Sequence, residues 1–239
     1  MVTFAHVSDI HVGGSEQSVA RAEAVMRHLE TLKLDAIIVT GDIADHALPE
    51  EYEIAKGLLG SSAPLIVCPG NHDSVPEFER HLGSANQVLR LPGLTLALAD
   101  SSIPGRPDGY LRDETLEWLE GVLAERPDVP AFVGMHHPAV ELGVPYVDRI
   151  RLNEPERLAA VIRRHPNVAG VLVGHAHTGV ATRFAGVPHV VAPGVISTSL
   201  TSEETDLEVP LSYELPPAFA LHRWDGELLT THFRPVILN

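Results

Sequence analysis

One cysteine, Cys68, stands in 239 residues, which excludes an internal disulfide and any thiolate-rich metal site. Any metal must therefore sit on nitrogen and oxygen. No run approaches the roughly 18 apolar residues of a membrane span, and no basic stretch precedes an apolar segment at the start, so neither a span nor a signal peptide is expected. The expectation is a cytoplasmic protein with no membrane partner. Basic residues are scarce, with 17 Lys and Arg against 32 Asp and Glu and a formal net charge of −15. That balance argues against nucleic acid as a partner, because a phosphate footprint needs clustered cations. There is no Gly-rich phosphate loop with a following Lys, no internal repeat and no low-complexity tract.

What is present is 44% hydrophobic residues and 14 histidines, many for this length. The length supports one domain over residues 1–239. Short apolar runs at Val2 to Val7, Ala36 to Thr40, Leu65 to Cys68, Leu94 to Ala99, Ala131 to Met135 and Val168 to Val173 read as buried strands. Between them, Ser15 to Leu32, Asp113 to Glu125 and Asn153 to His165 carry apolar residues at helical spacing. Asn153 lies three residues before Glu156, which suggests a capping box. This alternation predicts an α/β fold. After Gly179 the strands at Val180 to Phe184, His189 to Ala192, Phe219 to Trp224 and Leu228 to Phe233 predict a second, more antiparallel sheet, with Asp225-Gly226 as a hairpin turn. The acidic, proline-bearing stretch from Thr201 to Pro217 reads as a solvated loop.

Chemistry gathers where the strands end. Asp9 and His11 follow the first run and would project to one side if the strand continued through them. Gly41-Asp42-Ile43-Ala44-Asp45 follows the second run, and Gly70-Asn71-His72-Asp73 the third. Met135-His136-His137-Pro138 and Gly174-His175-Ala176-His177 follow two later ones. In open α/β sheets the functional crevice lies at the carboxyl ends of the strands, so residues some 170 positions apart can converge there. Carboxylate, amide and imidazole donors without thiolate suit Mn, Fe, Co or Zn better than Ca. Seven such residues exceed the about four that one tetrahedral ion takes. Two ions sharing a carboxylate would use them all.

These blocks resemble the calcineurin-like metallophosphoesterases, whose pattern is Asp-x-His, Gly-Asp-x-x-Asp, Gly-Asn-His-Asp/Glu, a lone His after a strand, and Gly-His-x-His. All five occur in order from Asp9 to His177, about three quarters of the chain. Gly109-Tyr110-Leu111, Trp118-Leu119, His136-His137-Pro138 and Gly186-Val187-Pro188 are similar to the branch that holds class III cyclic nucleotide phosphodiesterases and glycerophosphodiesterases.

The resemblance implies a four-layer α/β/β/α sandwich of two packed mixed sheets. It implies that Asp9, His11, Asp42 and His177 hold one metal, and that Asp42 bridges to a second held by Asn71, His136 and His175. It further implies that His72 faces the phosphate as acid or charge stabiliser, with Asp45 orienting its imidazole, and that Asn71 and His72 contact substrate. His137 is left between packing and lining the substrate pocket. A water shared by the two ions, its pKa lowered toward neutrality, is the expected nucleophile. The expected cofactors are two first-row ions (Mn, Fe or Zn), and the expected substrate is a small phosphodiester such as a 3′,5′-cyclic nucleotide. A monoester phosphatase, a glycerophosphodiesterase and a non-catalytic scaffold are the alternatives. Gly13-Gly14 could cradle substrate or simply turn into the first helix, Arg106 and Arg112 read as surface charge with a substrate role as the alternative, and a homodimer is the default assembly.

Overall fold

In the computed structural model, which describes residues 1–238, the apolar runs form strands and the amphipathic stretches form helices. The first half runs β1 (Val2–Val7), α1 (Ser18–Glu30), β2 (Ala36–Thr40), α2 (Pro49–Leu58), β3 (Leu65–Cys68), α3 (Val75–Leu82), β4 (Gln87–Leu91) and β5 (Leu94–Leu98). It continues through α4 (Asp113–Glu125), β6 (Ala131–Gly134), α5 (Pro145–Asp148), α6 (Pro155–Arg164) and β7 (Val168–Val173). The last stretch holds β8 (Val180–Phe184), β9 (Val187–Val191), β10 (Thr198–Ser199), β11 (Leu211–Ser212), β12 (Ala218–Trp224) and β13 (Leu229–Pro235).

Two mixed sheets result, one ordered β13-β12-β1-β2-β3 and the other β4-β5-β6-β7-β9-β8. Strand alternation sends successive side chains to opposite faces, and the core divides accordingly. Phe4, Ile38 and Ile66 of the first sheet meet Leu96, Phe132 and Leu172 of the second in one apolar layer. The intervening residues Ala5, Val39 and Val67 face Val25, Leu29, Tyr52 and Phe78 of the first three helices. Val133, Val171 and Val173 face Leu119, Leu123, Leu158 and Ile162 of α4 and α6. Three apolar layers between four layers of structure are the expected α/β/β/α sandwich.

The four late strands expected from the sequence, now β8, β9, β12 and β13, join these two sheets, and the short β10–β11 pair stands apart. β12 joins the first sheet antiparallel to β1, with Phe4 opposite His222, and β9 joins the second parallel to β7. Periodicity reports which residues alternate but not which edge a strand adds to. At the start of α6, Glu154 takes φ 47° and no side-chain cap forms, so the expected capping box is absent. Asn153 instead donates to Asp108 and to the Gly109 carbonyl. The Asp225-Gly226 turn forms as expected, with Asp225 Oδ1 accepting from the main-chain N–H of Glu227 and Leu228.

His222 illustrates how the sheet interface constrains ionisation. Its ring lies 4.8 Å from Phe4, and its Nδ1 lies 2.8 Å from Thr231 Oγ1. Burial pushes its pKa down to about 3. A histidine held neutral by the fold contributes stability above its unfolded pKa, and that contribution is lost as pH falls toward the folded value. Between pH 7 and 5 the stability of the wild type relative to His222→Gln should therefore drop by about 2 kcal/mol. Urea midpoints of the two proteins at both pH values measure this, and a gap independent of pH would contradict it.

Candidate metal centre

The parallel strands β1, β2, β3, β6 and β7 all deliver their carboxyl ends to one edge of the sandwich, and the five motif blocks meet there. β1 stops at Val7, so Asp9 and His11 are not aligned by strand alternation. They are aimed instead by left-handed backbone, at φ 57° and 47°. Asp42, His175 and His177 share this conformation, at φ 51°, 68° and 52°. Such backbone costs on the order of 1–3 kcal/mol per non-glycine residue and persists where the surroundings over-determine it. Five of the eight described non-glycine residues with positive φ are thus expected metal ligands. Close approach is secured by glycine, since a Cβ on Gly70 would fall 2.2 Å from Asp42 Oδ1 and one on Gly41 2.5 Å from His136 Nδ1.

Asp9, His11, Asp42 and His177 present donor atoms within 4.8 Å of one another, all on buried residues. His11 Nδ1–H donates to Asp45 Oδ1 at 2.7 Å, leaving Nε2 aimed at Asp42 Oδ2, 3.3 Å away. His177 Nδ1 is satisfied by Ser197 Oγ at 2.8 Å, leaving Nε2 toward Asp9 Oδ1 at 3.5 Å. The second group centres on His136, whose Nδ1–H donates to the Thr40 carbonyl at 2.7 Å. Its Nε2 then faces Asn71 Oδ1 at 3.1 Å, His175 Nδ1 at 3.1 Å and the same Asp42 Oδ2 at 3.3 Å. Lone pairs so gathered repel unless a proton or a cation lies among them. Asp9 Oδ2, His11 Nε2 and His175 Nε2 have no hydrogen-bond partner although buried. The donor set therefore fits two metal ions with Asp42 Oδ2 common to both.

The electrostatics carry the same mark. Burial opposes charge on His11, but Asp42, Asp45 and Asp9 outweigh it and raise its pKa to about 10. The balance at His136 is similar, with burial overcome chiefly by Asp42 and the pKa raised to about 9. Burial also opposes charge on Asp42, yet His136 and His11 hold it well below the usual carboxylate range. Asp9 is raised to about 6, first by burial and against the pull of His136. His177 is lowered to about 3 by burial and then His11, and His175 is lowered by burial and then His136. In both, the neutral ring is the form a metal binds.

Some expectations need correction, and the alternatives left open at His137, Arg106 and Arg112 are decided for the structural roles. The Asp45 carboxylate orients His11, whereas His72 Nδ1–H donates to the Asp45 main-chain carbonyl at 2.9 Å and lies 3.6 Å from Oδ1. His137 does not line the site. It is fully buried, its Nε2–H donates to the Pro107 carbonyl at 3.3 Å, and its Nδ1 accepts from Ser101 Oγ at 2.8 Å. Both nitrogens being taken, it supports the loop that carries Pro107. Arg106 pairs with Asp108, and Arg112 with buried Asp100, so neither reaches the centre. The Thr201 to Pro217 stretch is not wholly a solvated loop, because Leu211 and Tyr213 line the cavity.

Two residues have roles that the sequence pattern alone does not assign, Asp73, the last residue of the Gly-Asn-His-Asp block, and His189, outside the blocks. Asp73 ties two motif turns together by accepting main-chain N–H bonds from Ile43, Ala44 and Gly70, and Tyr52 Oη–H donates to it at 3.1 Å. His189 Nε2 accepts the Ala139 N–H at 3.2 Å and so braces the segment after His137.

The cavity over the donors measures about 270 Å³ and is lined by His11, Asp42, Asp45, Asn71, His72 and His177, with Gly14, Tyr146, Tyr213 and other neutral residues around them. No Lys or Arg is among its lining residues.

A model of the calcineurin-like phosphoesterases matches residues 2–179. A glycerophosphodiester phosphodiesterase of Enterobacter lignolyticus is 32% identical, over 93% of this chain and 87% of that one. A 3′,5′-cyclic-nucleotide phosphodiesterase of Nostoc sp. is 31% identical, over 90% of this chain and 85% of that one. A dimetal phosphatase from Danio rerio superposes with a TM-score of 0.76 at 16% identity, covering 98% of this chain and 96% of that one, a likeness of fold. No helix among the described residues is long and apolar enough to cross a membrane. The donor groups at the strand ends, the family match and the relatives agree, and the chain belongs to the calcineurin-like phosphoesterases, a family of metal-dependent phosphoester hydrolases.

Proposed function

We propose that the protein is a phosphodiesterase for small diesters, with a 3′,5′-cyclic nucleotide as the leading substrate class. What carries this reading is the cavity lining, which lacks any Lys or Arg. A monoester carries about one more negative charge than a diester near neutral pH, and a pocket built for it would add cationic donors beside the metals. The relatives named above act, by their names, on glycerophosphodiesters and cyclic nucleotides. A scaffold without catalysis is disfavoured because the complete donor set and His72 are in place. The reading takes residues 1–239 as one unit, since β12 and β13 complete the sheet that β1 begins.

Asp9, His11, Asp42 and His177 would hold one ion, and Asn71, His136 and His175 the other together with Asp42. Their oxygen and imidazole donors favour Mn, Fe or Zn. When bound, the pair lowers the pKa of water and offsets charge on phosphate oxygens. His72 lines the cavity, and its Nδ1–H is fixed on the Asp45 carbonyl. Its Nε2 edge is then available to donate a proton to the leaving oxygen or to hold negative charge on phosphate. Asn71 Oδ1 lies 3.1 Å from His136 Nε2, where it would serve as a metal ligand, and its amide N–H₂ would then be left for a phosphate oxygen. Ser8 donates to the Thr40 carbonyl and serves the turn, not nucleophilic attack.

With Mn added, kcat/KM for bis(4-nitrophenyl) phosphate should exceed that for 4-nitrophenyl phosphate, and cyclic AMP should be hydrolysed measurably. A clear preference for the monoester would replace this reading by a phosphatase.

A further inference from the structure

Arg21 on α1 is 2% exposed, yet its guanidinium hydrogen bonds reach main-chain carbonyls. Nε donates to Val195 at 2.8 Å, Nη1 to Tyr213 at 3.2 Å and Nη2 to Leu215 at 2.7 Å. One planar fork, from a residue more than 170 positions earlier, thus ties together two neighbouring segments, which a lysine cannot reproduce. Val195 is itself pinned near the metal ligands, its N–H donating to the Ser8 carbonyl at 3.1 Å, and the next residue, Ile196, lines the cavity.

The other segment has little core of its own. Leu207, Val209, Tyr213 and Leu215 are all exposed, and its pairing is the short β10–β11 ladder with Ser199 opposite Leu211. Leu211 and Tyr213 nonetheless form part of the cavity wall. Main-chain bonds from Leu200 to the Pro210 carbonyl and from Val236 to the Pro217 carbonyl hold the two ends of this stretch, and between them the Arg21 fork holds the carbonyls of Tyr213 and Leu215.

We infer that Arg21 is a positioning residue that clasps the 211–215 segment against the site, so that Leu211 and Tyr213 stand as a preformed apolar wall for the organic group of the diester. The inference rests on the cavity being the phosphoester site, as proposed above. A wall held in place spares each binding event the ordering of its side chains, which favours substrates large enough to touch it. Arg21 therefore acts on KM, and selectively for bulky esters. It touches no reacting atom.

The test compares bis(4-nitrophenyl) phosphate with methyl 4-nitrophenyl phosphate, which share a leaving group and differ in the second ester. In Arg21→Ala the ratio of their KM values, bulky over small, should rise about tenfold, the size expected when two wall side chains must be ordered on binding, while kcat changes little. Arg21→Lys keeps the charge but not the fork and should shift the ratio in the same direction. A Glu-specific protease should cut after Glu214 faster in both variants than in the wild type. Tyr213→Ala removes an exposed wall residue without touching the core and should shift the ratio by itself, even if Arg21→Ala fails to fold.

An unchanged ratio in Tyr213→Ala, a wild-type ratio in Arg21→Lys, or an equal fall in kcat on both substrates would each overturn the clasp. Absence of wild-type turnover on either diester would count against the diester reading, and cleavage after Glu214 would still decide the clasp.

Discussion

Asp42→Ala should lose turnover to background and most of its bound metal. A single atom, Asp42 Oδ2, lies 3.3 Å from His11 Nε2 and 3.3 Å from His136 Nε2, so one oxygen serves both donor groups. Its removal takes a ligand from each ion and leaves two imidazoles facing each other without the carboxylate that balanced them. Asp42 Oδ1 also accepts the His72 N–H at 2.9 Å, so the alanine variant loosens the turn that presents His72. Asp42→Asn separates these effects, because its amide oxygen can keep the turn while the bridging charge is gone. Elemental analysis after purification, with circular dichroism as a check on folding, measures the outcome. Two ions per chain and near-normal turnover in either variant would remove Asp42 from the bridging position.

His72→Ala should keep both metals and lose about 10²–10⁴-fold in turnover, the span typical of a positioned acid. His11, Asp45 and His72 also lie close enough together to be mistaken for a ligand group. Their geometry argues otherwise, since His11 Nδ1 and His72 Nδ1 each point at an oxygen of Asp45, at 2.7 and 2.9 Å, with a hydrogen between. The loss should follow the leaving group. Nitrophenolate departs with little protonation and should suffer least, whereas an alkoxide such as the ribose oxygen of a cyclic nucleotide should suffer most. An equal loss across a leaving-group series would assign His72 to phosphate binding or charge stabilisation instead of proton transfer.

The positions proposed as metal ligands were legible because each motif sits at a strand end, and strands of continuous Val, Ile and Leu are easy to recognise when buried on both faces. Asp42, Asn71 and His175 converge on His136 Nε2 although 133 positions separate Asp42 from His175, as the strand-end rule requires. What failed to show in the sequence depends on contacts distant along the chain. Asp45 reads as a partner for His72, but the choice between two imidazoles is made by the left-handed backbone at His11, which brings that ring to 2.7 Å. His137 neighbours a ligand, yet Ser101 and Pro107 from another loop claim both its nitrogens. Tyr213 lies in a stretch with no periodicity, and nothing local reveals that Arg21, 192 positions earlier, holds its carbonyl. Helix α2 buries Glu51, Tyr52 and Ala55 and helix α3 only Phe78, too few apolar positions for a helical stripe to stand out in the sequence.

The most direct test of the account is an anomalous-scattering map from crystals grown with Mn. The account predicts two peaks about 3.5–4 Å apart, both against the Asp42 carboxylate, one also touching Asp9, His11 and His177 and the other Asn71, His136 and His175. A single peak, or two peaks of which one does not touch Asp42, would contradict it.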